Sequence, residues 1–295
     1  MSTDVRLFVF GLGYSAGALA KAMVSGAAWV GGTVRSTGKT AEQGIDVITW
    51  DGSASSADVA RALATATCVV VSIPPGQSDP VLTHFGEAIQ TAPRLQWLGY
   101  LSTVGVYGNY GGAWVSERTT PHPRSARAIQ RLAAEKAWST FAAKRDLPLA
   151  IFRLAGIYGP GRNALVNLAE GKAHRIVKPG QVFNRIHVED IVATLSAAIV
   201  RATGGIFNVS DDEPAPPQDV VAYAAGLMGI EPPPEVPFAE ADLSPMARSF
   251  YGDNKRVANA LIKRELGIHL RFPTYREGLD ALWRQGDGRA AERGG

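Results

Sequence analysis

A largely apolar run at residues 5–10 stops at the turn Gly11-Leu12-Gly13-Tyr14-Ser15-Ala16 and gives way at once to small and apolar residues at helical spacing over 15–23. A strand with so little polar alternation has to be buried on both faces, as in a parallel sheet covered by helices. The pattern then repeats. Further strands are expected at 28–34, 46–50, 67–73 (stopped by Pro74-Pro75), 95–102 and 149–154, with helices between them, chiefly at 57–64, 81–91 and 125–144. Alternation of this kind implies right-handed crossovers and an α/β fold, a doubly wound parallel sheet.

The second half is less regular. A helix and then short strands are expected over 163–190, a helix at 191–201, a strand at 205–209 and a helix at 220–228. Residues 231–245 carry five prolines and read as a loop over a cleft, and two short helices are expected near 254–265 and 274–284. The expected organisation is a Rossmann domain over 1–160, rejoined by segments near 186–212. A smaller C-terminal substrate-binding lobe occupies 161–285, and a frayed tail 286–295.

Composition narrows the class. Hydrophobic residues make up 46% of the 295, enough for a core, and charged residues only 19%, which excludes a disordered or coiled-coil chain. No apolar run approaches the ~18 residues of a membrane helix. Asp4 and Arg6 beside the short run 7–10 argue against a signal peptide. The single cysteine, Cys68, excludes an internal disulfide and a CxxC metal site, and the five histidines show no ligand spacing. A metal-free, cytoplasmic protein is the expectation. The net charge of +3 is a mild bias without the basic stripe that nucleic-acid binding needs.

The turn at 11–16 is a GxGxxA dinucleotide fingerprint. Gly11 permits the tight bend, Gly13 lets the backbone approach a pyrophosphate, and Ala16 keeps the helix close to the sheet. Tyr14 and Ser15 open the helix, whose first N–H groups face the phosphates. An NAD site expects a carboxylate about 20 residues on, to hold the ribose diol. Here the stretch reads Thr33-Val34-Arg35-Ser36-Thr37. The Arg35 guanidinium can pair with a 2′-phosphate and Ser36 can donate to it, so the cofactor expected is NADP. Asp51 either accepts from the adenine amino group or caps the next helix. Ser72 and Ile73, before Pro74-Pro75, are placed to line the dinucleotide.

Further motifs follow in order: Ser102-Thr103-Val104-Gly105-Val106-Tyr107-Gly108 after the fifth strand, Arg153 and then Ile157-Tyr158-Gly159-Pro160-Gly161 after the sixth, Arg185-Ile186-His187-Val188-Glu189-Asp190, and Phe207-Asn208-Val209. Together with the glycine turn they resemble the extended short-chain dehydrogenase/reductases, the NAD-dependent epimerase/dehydratase group, from about residue 5 to about 230. The stretch Pro273–Leu279 also looks like the end of an atypical bacterial branch. The resemblance implies a small-molecule substrate, a possible homodimer through the long helices, Ser102 beside the cofactor, and a hydroxyl residue, a Tyr and a Lys (YxxxK) as catalytic groups.

Thr103 matches the hydroxyl residue. The acidic residue that follows the lysine in the family matches Glu135, which puts Arg127 and Arg131 where the tyrosine and lysine belong: the motif reads RxxxR. Arginine holds its proton above pH ~12, so Arg127 cannot be a general base. With Arg124 on the same helical face, the pair forms either an anion-receiving wall beside the nicotinamide or a solvated face. Tyr107 and Tyr158 follow strand ends at the ligand-binding rim, where each either reaches substrate or packs. Arg162 and Asn163 are analogy-based candidates to face substrate. Asp190 reads as a helix cap or an arginine partner, and His187 as a buried, hydrogen-bonded side chain. Two functions compete: an NADP-dependent oxidoreductase or epimerase-like enzyme on a small, anionic or sugar-like substrate, and an NADP(H)-binding sensor without hydride chemistry.

Overall fold

The computed structural model describes residues 4–36 and 43–289. The first half alternates: β1 Arg6–Phe10, α1 Tyr14–Met23, β2 Trp29–Val34, β3 Asp46–Thr49, α2 Ala57–Thr65, β4 Cys68–Val71, α3 Pro80–Thr91, β5 Trp97–Thr103. After a 3-10 turn at Val104–Tyr107 come β6 Trp114–Val115, α4 Ala126–Ala143, β7 Leu149–Leu154 and β8 Gly156–Tyr158. The second half holds α5 Ala164–Ala169, β9 Arg175–Val177, β10 Arg185–His187, α6 Val188–Arg201, β11 Gly205–Val209 and α7 Pro217–Met228. It ends with β12 Glu235–Pro237, α8 Pro245–Phe250, β13 Arg256–Val257, α9 Ala260–Leu266 and α10 Tyr275–Arg284.

Seven strands form one parallel sheet in the order β11-β7-β5-β4-β1-β2-β3. Strand periodicity sends alternate side chains to opposite faces. Leu7 and Val9 therefore join a core with Leu19, Met23, Leu195 and Ile262, beneath α1, α6 and α9. Phe8 and Phe10 join the other, with Val59, Phe85 and Trp138 beneath α2, α3 and α4. This double burial explains the nearly unbroken apolar run at residues 5–10. A third cluster, Tyr158, Leu165, Val220, Ala224, Tyr275 and Leu279, binds α5, α7 and α10 together. Thr274 and Glu277 close a capping box at the start of α10. Among the described residues no helix is long and apolar enough to cross a membrane.

The first-half elements fall within a residue or two of their expected bounds, and the later half departs in several places. The stretch 254–265 was expected to be one helix. It begins instead as β13, whose Arg256 and Val257 pair with Trp114 and Val115 of β6, and turns helical only at Ala260. The expected loop at 231–245 contains β12, paired with β9, and runs into α8, where Ser244 caps and Pro245 occupies the first turn. Asp190 neither caps α6 nor serves an arginine side chain as its hydrogen-bond acceptor. His187 Nδ1 is the cap, accepting from the Glu189 N–H, and the Asp190 carboxylate accepts from the Arg271 and Phe272 amides. Part of the expected frayed tail is tied down, because Asp287 accepts from Gly161 N at 2.8 Å and from Asn163 Nδ2. Residues 290–295 of that tail lie outside the described residues.

Candidate active site

Two clefts open at the C-terminal rim of the sheet, where α/β folds bind ligands. The first, about 620 Å³, is lined by the glycine turn, Thr33–Ser36, Trp50–Gly52 and Ser72–Pro74. Gly11 has φ +86°, a left-handed conformation, and a Cβ there would meet Ile73 Cγ1 at 2.8 Å. Its N–H donates to Thr33 Oγ1 at 2.9 Å and the Leu12 N–H to the Thr33 carbonyl at 2.8 Å, which locks the turn onto β2. Gly13 caps α1 with no side chain to satisfy the helix N-terminus, no acidic residue follows in the first turn, and a Cβ at Gly13 would meet nothing within 4 Å. The helix end is therefore left open toward an anion. Ser15, at 7% exposure, has a hydroxyl oxygen without a hydrogen-bond partner at the same helix end. Ala16 is buried against the sheet. These features fit a dinucleotide pyrophosphate.

Arg35 and Ser36 are exposed at the rim of this cleft. Asp51 lines it too, but does not cap a helix: Ser56 caps α2, and the Asp51 carboxylate accepts from the Ser53 N–H and hydroxyl. Those bonds hold its carboxyl below the usual carboxylate range. Ser72 and Ile73 line the cleft. Tyr14 reaches the other way. Its hydroxyl donates to Pro160 O at 3.0 Å, and Arg162 lies over its ring, tying the glycine turn to the second cleft.

The second cleft, about 890 Å³, is lined by Thr103–Gly105, Tyr158, Arg162, Asn163, Asn167, Arg185, Lys255 and apolar side chains from Phe183, Leu243, Phe250 and Tyr251. Thr103 Oγ1 accepts from the Gly105 N–H at 3.1 Å, fixing the turn after β5. Tyr158 packs edge-on against His187 and donates to Thr274 O, with burial pushing its phenol up. Asn163 caps α5, and its amide is spent on Gly159 and Asp287. His187 is buried, and desolvation, then the Arg271 charge, push its imidazole down to about 4.

Four expected site residues sit elsewhere. Ser102, expected beside the cofactor, is buried and donates its hydroxyl to Glu135 Oε1. Tyr107 is fully buried and packs: its hydroxyl donates to Asn208 Oδ1 at 2.7 Å and accepts from Arg153 Nη1 at 3.0 Å. Arg131 folds onto the sheet end, donating to Leu101 O at 2.8 Å and lying over the Tyr100 ring. Arg127 points to Met246 Sδ of α8, 2.7 Å away. The two arginines thus find separate protein partners. Glu135 and Arg153 form a buried ion pair at 2.7 Å that joins α4 to β7 beneath the Thr103 turn. Two cations of this lining are not marked as site residues by the sequence: Arg185, present there only within a family motif, and Lys255. Arg185 Nη1 is held by Phe183 O and Ala215 O at 3.0 and 3.1 Å, with its guanidinium over Tyr275. Among the described residues no group of His, Cys, Asp and Glu could hold a metal ion.

Comparison with known proteins agrees with this architecture. Residues 86–210 match the NAD dependent epimerase/dehydratase family. A conserved protein of unknown function from Silicibacter pomeroyi DSS superposes with a TM-score of 0.86 at 45% identity, covering 96% of this chain and 100% of that one. The 3-diazoavenalumate denitrifying reductase of a Streptomyces species is 28% identical over 148 residues, 46% of this chain and 48% of that one. Protein YeeZ of Escherichia coli K12 is 30% identical over 226 residues, 72% of this chain and 74% of its own. Likeness of that extent, carried on a sheet whose glycine turn and Thr103 open two adjoining clefts, makes the chain a member of the NAD dependent epimerase/dehydratase family.

Proposed function

We propose that the protein is an NADP(H)-dependent oxidoreductase or epimerase-like enzyme that acts on a small anionic or sugar-like substrate. The observation that carries the cofactor preference is Arg35 with Ser36 at the rim of the first cleft, where an NAD site would place a carboxylate. A 2′-phosphate there gains a charge-assisted pair and a hydroxyl donor. The α1 N-terminus and Gly13 would hold the pyrophosphate, and Ser72 and Ile73 the adjoining ribose. When bound, the nicotinamide supplies hydride transfer to or from a carbon of the substrate.

The chain's own groups do the rest. Thr103 presents a hydroxyl to a substrate oxygen in the second cleft. Arg185 lies over Tyr275 with the Asp211 charge nearby, but among the described residues its hydrogen bonds run through Nη1 alone, so Nε and Nη2 are the donors it can offer an anionic substituent. The aromatic walls exclude water from an apolar portion of the substrate. The reductase from Streptomyces supports reductive chemistry on this scaffold.

A sensor without turnover is the second reading, favoured by the engagement of Arg127 and Arg131 away from both clefts. Calorimetric titration tests the cofactor assignment. Arg35→Asp should weaken NADPH by at least about a hundredfold, because a charged pair becomes a repulsion, and NADH by less than about threefold. Equal loss for both cofactors would overturn the assignment.

A further inference from the structure

Among the described residues Lys255 is the lysine that lines the second cleft, and the fold goes to some length to put it there. Its segment is stitched to the chain just past Thr103. Asn254 N donates to Asn109 Oδ1 at 3.0 Å, Tyr110 N donates to Asn254 O at 2.9 Å, and β13 continues the join through β6. On the other side the Asn184 amide brackets it, donating to Lys255 O at 3.0 Å and accepting from Val257 N at 2.8 Å. The backbone is thus held from both sides and the side chain has little choice of direction.

Lys255 is 6% exposed. Its ammonium donates to Gly108 O at 2.9 Å, the residue that closes the 3-10 turn begun at Thr103. Asp253, its charged neighbour, stands 4.0 Å from Nζ, a loose ion pair. An ammonium has three donors, and one is spent on Gly108. Burial lowers its hold on the proton, and Asp253 only partly restores it. A buried lysine that serves structure alone would be expected to have its donors matched by acceptors.

We propose that Lys255, the residue just before β13, is the proton donor of this site, supplying what α4 does not offer through a tyrosine and a lysine. This rests on the oxidoreductase reading above, with a dihydronicotinamide as the reductant. As a substrate carbonyl carbon gains a hydride, the carbon–oxygen π pair moves onto the oxygen beside Thr103. The Nζ–H bond breaks and an O–H bond forms, so the carbonyl is reduced to an alcohol and the nicotinamide is left oxidised. Lys255 remains as a neutral amine that regains a proton from water in the cleft. In the reverse direction the neutral amine takes the hydroxyl proton.

Two measurements on the full chain test this. Cyanate is small and attacks only unprotonated amines, so carbamylation at pH 7.5 followed by peptide mass mapping reads both access and proton affinity. Lys255 should react at least about fivefold faster than Lys136, which is exposed on α4. In the second, NADPH oxidation is followed with a panel of aromatic and aliphatic aldehydes and ketones. Lys255→Met should lower kcat by about a hundredfold or more, with NADPH affinity unchanged. Lys255→Arg should fail to rescue kcat, because arginine keeps its proton at neutral pH. Slower carbamylation of Lys255 than of Lys136 overturns the proposal, as does turnover that survives in Lys255→Met. Absence of NADPH binding to the unaltered chain overturns the cofactor reading instead, so the two failures are distinguishable.

Discussion

Glu135 and Arg153 hold α4 to β7 beside the turn that carries Thr103. Both side chains are 4% accessible, and the guanidinium meets the carboxylate through Nη2 at 2.7 Å and Nε at 3.2 and 3.3 Å. Ser102 donates to the same carboxylate and Tyr107 accepts from the same guanidinium, so the pair holds residues on both sides of Thr103 in sequence. Glu135→Gln keeps the shape but removes the charge, leaving Arg153 buried without an anion and setting an amide N–H₂ against guanidinium donors. Removing one partner of a buried pair costs about 3–5 kcal/mol, against about 0–1 for an exposed one. Urea unfolding followed by circular dichroism should therefore show a loss of unfolding free energy of that size, read as a lower midpoint at unchanged slope. Glu135→Leu with Arg153→Met should recover much of it, since apolar replacement of both partners leaves no stranded charge. A loss below about 1 kcal/mol in the Gln variant, or a double variant as weak as Glu135→Gln, would refute the assigned role.

Two shorter predictions accompany it. Gly11→Ala puts a side chain at φ +86° and a Cβ 2.8 Å from Ile73 Cγ1, so NADPH affinity measured by calorimetry should fall by about tenfold or more through strain in the turn itself. The folded chain keeps His187 neutral down to about pH 4, whereas the unfolded chain binds a proton near pH 6.5. Stability is thus fully present above pH 6.5 and falls as pH drops toward 4, by up to about 3 kcal/mol, and His187→Asn, which retains a capping side chain, should flatten that part of the urea-midpoint profile.

The sheet was legible because its strands write their burial into consecutive residues. The run at 149–154 coincides with β7, and Leu7/Val9 against Phe8/Phe10 follows from strand period alone. The short strands β6, β8 and β13 were not legible, since two or three residues carry no period. What fixes β13 is Trp114, which lies 142 positions before Arg256 in the chain. The same contrast divides the site. Gly11, Gly13, Arg35 and Thr103 belong to contiguous motifs, and a local pattern could find them.

Helical spacing would align Arg124, Arg127 and Arg131, but α4 begins at Ala126 behind its Ser125 cap, which leaves Arg124 outside the helix, and spacing says nothing about what meets the face of the other two. Leu101 O and Met246 meet it, from β5 and α8. Lys255 is the converse case. Nothing beside it in sequence marks it, and it enters the cleft only because β13 pairs with β6 and Asn184 brackets its backbone. A side chain delivered by distant pairing can take over work lost from a helix without leaving a trace in the helix's own motif. A motif that is missing from α4 is therefore weak ground for denying catalysis to this fold, and the cleft's full set of titratable groups is the sounder basis for deciding.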